Sequence, residues 1–95
     1  MPDRPQLAPE GARIHLSPDE AVILFELLAR WCGDSGASTP EASCFESTAE
    51  SAVLHNILAG LESQLVAPFQ EDYVKLLNEA RRRFEGFWHY PTLRG

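Results

Sequence analysis

The stretch AVILFELLARWC, residues 21–32, contains only two charged side chains, Glu26 and Arg30. A helix on the surface of a soluble protein normally buries a single apolar stripe. Ala21, Leu24, Phe25, Leu28 and Trp31 follow the three–four spacing of such a stripe. Val22, Ile23 and Leu27 lie off it, so apolar character extends around most of the helix. Two arrangements satisfy that pattern. Either this helix lies at the centre of the fold with other helices covering it, or one flank packs on another chain. The spacing alone leaves both open.

The limits of the helix are well marked. Ser17 is placed to cap, Pro18 stands at the first helical position, and Glu20 falls three residues after the serine, which is the reciprocal capping-box pattern. Asp19 and Glu20 bring negative charge to the positive end of the helix dipole. Gly33 suits a left-handed residue just past the helix end. Glu26 and Arg30 are four residues apart and mark the expected solvated edge.

Two further helices are predicted. Ser47 and Glu50 repeat the capping pattern and open a second helix over 47–66. Its stripe is Val53, Leu54, Ile57, Leu58, Leu61 and Leu65. Gly60 sits in its interior, at a cost of about 1 kcal/mol relative to alanine, and suggests close approach of another helix. Pro68 pushes the residue before it out of the helical region and ends this helix near Val66. A third helix over 69–85 follows, with Phe69, Tyr73, Leu76, Leu77, Ala80 and Phe84 as its stripe. Arg81, Arg82 and Arg83 occupy its last turns, where positive charge suits the dipole.

Between the first two helices, residues 33–46 are small and polar and form a long loop, with Phe45 placed to pin its far end. Residues 1–13, with three prolines and little apolar content, read as a flexible arm. The tail GFWHYPTLRG holds Phe87, Trp88 and Tyr90. Such aromatics are expected to fold back over the helices, the alternative being an exposed patch for a partner. The expected architecture is therefore all-α: one domain over 14–95, a three-helix bundle with a packed aromatic tail.

At 95 residues the chain supports one modest core. Its net charge of −6 argues against nucleic acid as a partner and suits contact with a basic protein surface. No apolar run approaches the ~20 residues that span a bilayer. MPDRPQLAPEG lacks the apolar region of a secretory signal, so a cytoplasmic setting with Cys32 and Cys44 as free thiols is expected.

Signals of chemistry are weak. His15, His55 and His89 have no partner at metal-ligand spacing, and no CxxC, HExxH or phosphate-binding loop occurs. Cys32 falls at a helix C-terminus, where the dipole disfavours a thiolate. The three arginines fan out over about 200°, so they do not all face one ligand. No catalytic, cofactor or metal residues are assigned. A minor enzyme or ligand pocket would be built from His15, His55, Glu50 or Tyr73.

LSPDEAVILFELLAR (16–30) and LESQLVAPFQEDYVKLLNEAR (61–81) together resemble a group of small, functionally uncharacterised bacterial helical proteins. In that group an LxxDEAxxLFxxLxR helix precedes LExxLVxPFxxxY and an LLxxAR helix. The resemblance implies a bacterial source and a compact helical domain, and carries no activity or site residues.

The reading is thus a small, acidic, non-catalytic bacterial protein that acts by protein–protein contact, of the immunity or inhibitor type. Its alternative is a homo-oligomeric structural or regulatory module. The partner is another protein or a second copy, with no membrane and no small-molecule substrate. Val22, Phe25, Trp31, Phe87, Trp88 and Tyr90 are the candidate contact residues.

Overall fold

A computed structural model describes residues 10–33 and 36–95. The described residues form three α-helices and no strand: α1 (Pro18–Cys32), α2 (Thr48–Gln64) and α3 (Tyr73–Phe84). Short 3-10 turns lie at Ala42–Cys44, Ala67–Phe69 and Glu85–Phe87. The fold is an all-α bundle. Most of the predicted arm, residues 1–9, lies outside the described residues.

The capping box of α1 forms as its sequence dictates. The Glu20 backbone N–H donates to Ser17 Oγ at 3.1 Å, and the Ser17 N–H donates to Glu20 Oε1 at 2.8 Å. At α2 the reciprocal box does not form. Ser47 Oγ accepts from the Ala49 N–H at 2.9 Å, and Glu50 Oε1 accepts from the Glu46 N–H at 2.9 Å, each one residue away from the box pattern. The end of α1 also differs from expectation. Gly33 is extended (φ −90°, ψ 174°), not left-handed. Glycine is needed there because a Cβ would meet the Ala29 carbonyl oxygen at 2.5 Å.

The surplus apolar surface of α1 is used inside the chain. Ala21 and Leu28 are buried with Leu61 of α2, and Leu24, Phe25, Trp31, Leu54, Leu58 and Leu65 pack around them. Val22 is buried in a second cluster with Leu77 and Ala80 of α3, joined by Ile23, Ala67 and Tyr73. At about 100° per residue these two faces of α1 point in nearly opposite directions. α1 packs extensively on both α2 and α3, and α2 and α3 share no comparable contact. The bundle is an open row with α1 in the middle. Of the two arrangements the sequence allowed, the central one is observed.

Both flanking helices run antiparallel to α1. Tyr73, at the start of α3, reaches Glu26, and Arg83, near its end, reaches Asp19. Leu54 and His55 of α2 lie by Trp31 and Cys32, whereas Leu61 and Leu65 lie by Leu16 and Pro18. The loop wraps the end of α1, with Thr39 Oγ1 donating to the Trp31 carbonyl at 2.9 Å and Phe45 half-buried beside Trp31 and Leu54.

Three further details depart from the sequence reading. First, α2 ends at Gln64 and α3 begins only at Tyr73. Pro68 belongs to a separate 3-10 turn, and Gln70 is extended (φ −91°, ψ 149°), which rotates Phe69 out to 81% exposure. Second, the α2 stripe is divided: Leu54, Leu58, Leu61 and Leu65 face α1, whereas Val53 and Ile57 are exposed. Third, nothing lies within 4 Å of a Cβ built on Gly60, so no helix of this chain approaches it.

Candidate interaction surfaces

The six candidate contact residues fall into two groups. Val22 is buried under α3, and Phe25 and Trp31 are partly buried against the α1–α2 core. Val22 is closed off by Leu77 and Ala80, whereas Phe25 and Trp31 pack on the core and remain partly exposed. α2 and α3 cover two sides of α1, and Ile23 also borders an open groove. Phe87, Trp88 and Tyr90 are exposed by 75%, 52% and 60%.

The tail does not cover the core. It packs on itself and on the end of α3. Phe84 and Phe87 rings lie 5.0 Å apart, and Trp88 and Tyr90 meet edge to face at 5.3 Å. Trp88 Nε1–H donates to the Thr92 carbonyl at 2.9 Å, Thr92 Oγ1 donates to the Gly95 carbonyl at 2.9 Å, and the Gly95 N–H donates back to Thr92 at 3.2 Å. The indole has its hydrogen bond inside the tail, so its ring can leave water without stranding a donor. Between the tail and α1 runs an open groove of about 390 Å³, lined by Ile23, Arg81, Phe84, Glu85 and Trp88. The sequence pointed to these aromatics, but not to Ile23 and Arg81 beside them. That proximity depends on how α3 crosses α1.

A second surface is set apart by charge. Residues 31–74 contain seven acidic residues and not one Lys or Arg. Glu41, Glu46, Glu50 and Glu62 are exposed on the loop and α2. Four of the eight basic residues, Arg81, Arg82, Arg83 and Arg94, lie in the last fifteen positions. The chain is thus acidic over its loop and α2 and basic at its aromatic end. A larger hollow of about 600 Å³ on the outer side of α3 mixes Glu71, Asp72 and Glu79 with Lys75 and Arg82 and favours no charge.

The α1–α3 contact contains two polar clasps. Tyr73 Oη donates to Glu26 Oε1 at 2.8 Å. Burial, and then the carboxylate beside it, push the Tyr73 hydroxyl well above its ordinary value of 10. Glu26 is therefore part of a helix–helix contact and not a solvated edge. Arg83 pairs with Asp19 through two hydrogen bonds, which hold the Asp19 carboxyl below its ordinary 3.8.

His15, His55, Glu50 and Tyr73 do not converge on one pocket. His15 lines the groove near Leu61 and Leu65, and His55 borders a crevice of about 150 Å³ with Trp31 and Cys32 at the opposite end of α2. Glu50 caps α2, and Tyr73 is on α3. Among the described residues no three His, Cys, Asp or Glu side chains are grouped to hold a metal ion. Cys32 and Cys44 are unpaired. No described helix is long and apolar enough to cross a membrane. No family model matches the sequence, and neither a curated protein nor a solved structure is similar to it.

Proposed function

We propose that this chain is a small, non-catalytic bacterial protein of the inhibitor or immunity type, acting in the cytoplasm by contact with a basic surface on another protein. The observation that carries the reading is the segregation of charge. The loop and α2 present exposed carboxylates with no basic residue among positions 31–74. A one-signed surface steers a partner of opposite sign and fixes the encounter orientation. α1 packs on both α2 and α3, and His55 borders one small crevice with Cys32 while His15 lies toward the other end of α2. The resemblance to small bacterial helical proteins and the unpaired thiols support the source and the reducing setting.

The test is calorimetric titration against the protein encoded beside it, at low and high salt. The reading predicts a complex that weakens with added salt and with the double reversal Glu41→Lys/Glu62→Lys, two exposed side chains that make no capping hydrogen bond. Binding insensitive to both salt and reversal counts against the acidic face.

A further inference from the structure

We infer that the aromatic end of the chain is a two-fold interface, occupied by a second copy of the same protein. Three features support this occupant. The first is area. Phe84, Phe87, Trp88, Tyr90 and Leu93 are exposed by 38%, 75%, 52%, 60% and 90%. With roughly 200 Å² per large side chain, they offer about 600 Å² per copy, or about 1,200 Å² across a symmetric pair, the lower bound of a stable interface. The second is need. The fully buried large side chains of the described chain reduce to Leu28, and small domains with thin cores commonly gain stability by association.

The third feature is self-complementary charge. A two-fold interface brings residue i of one copy to residue j of the other, and j to i. Arg81 and Glu85 stand one helical turn apart on the rim of the groove formed with Ile23, Phe84 and Trp88. Apposed about a two-fold axis, each Arg81 meets the Glu85 of the second copy, and the aromatic rings fill the grooves between them. Two chains of net charge −6 repel one another, but this end is where the acidic excess is absent. The tail is already held by Trp88–Thr92 and Thr92–Gly95 hydrogen bonds, so little ordering cost attends association. The acidic loop and α2 face outward in such a pair, so loss of dimer and loss of a basic partner are separately measurable.

Sedimentation of the full chain from about 1 to about 200 μM tests the inference, since that range brackets micromolar association. The expected result is a monomer–dimer equilibrium. Trp88→Ser should weaken it at least about tenfold (some 1.4 kcal/mol) with unchanged helical circular dichroism. Arg81→Glu and Glu85→Arg should each weaken it, and the two together should restore it. A monomer at every concentration overturns the proposal, whether or not it binds phosphatidylserine vesicles or another protein. A dimer indifferent to Trp88→Ser, or a charge swap that fails to restore association, overturns it equally.

Discussion

Arg83 Nε and Nη2 grip both carboxylate oxygens of Asp19, at 2.8 and 2.9 Å, tying the end of α3 to the first turn of α1 across 64 positions of sequence. The pair makes stability depend on pH with a definite sign. Asp19 has its carboxyl lowered in the folded chain, first by the Arg83 hydrogen bond. Its contribution is complete above the ordinary value of 3.8 and is lost as pH falls below it. Asp19→Asn should flatten this part of the acid limb in thermal melts taken between about pH 2 and pH 5. Added salt should shrink the difference, because Arg83 is well exposed.

The second clasp should fail at the opposite end of the pH scale. The folded-state rise of the Tyr73 hydroxyl means its contribution is intact below pH 10 and lost as pH climbs through the raised value. Ultraviolet titration of the folded Tyr90→Phe variant should therefore show the remaining tyrosine still protonated above pH 10. Tyr73→Phe removes the donor to Glu26 and leaves a half-buried carboxylate short of a partner. A loss of about 1.5 kcal/mol in urea unfolding is expected, at the low end for bonds to charged groups because the site is only partly dry.

Core substitutions should rank by burial. Leu28 is 1% exposed and touches the α2 cluster at its centre. Leu28→Ala should cost about 3–4 kcal/mol. Leu58, only partly buried in the same cluster, should cost about 2 kcal/mol. Equal losses, or a Leu58 effect below about 1 kcal/mol, would contradict the packing of α2 on α1.

Gly60 gives a prediction of opposite sign. It lies inside α2 with open space where a Cβ would stand. Gly60→Ala should raise stability by about 0.5–1 kcal/mol, from the helix preference alone. A loss on that substitution would show that some close neighbour requires the glycine.

These results also show what local spacing can convey. The three helices, the Ser17 cap and the α1 face built on Ala21, Leu24 and Leu28 were legible because each depends on residues within a turn or two. The pairing of Glu26 with Tyr73 and of Asp19 with Arg83 was not, since those partners are separated by 47 and 64 positions. Glu26 has Arg30 four residues away, so spacing suggested a surface pair, whereas the fold turns that side of α1 toward α3. The aromatics of the tail were visible as contact candidates. Their self-packing was hidden, because it depends on Trp88 finding the Thr92 carbonyl and not the core. Total charge concealed the separation between an acidic loop and α2 and a basic C-terminal end.

The central claim is that α1 is packed on two sides within the chain, and that the aromatic end is exposed and available for contact. The chain has two tryptophans, one for each region. Iodide quenching of the single-tryptophan variants Trp88→Phe and Trp31→Phe, in protein dilute enough to be monomeric, reads them separately. Trp31 should resist the quencher and Trp88 should yield to it readily. A shielded Trp88 beside an accessible Trp31 would contradict the account.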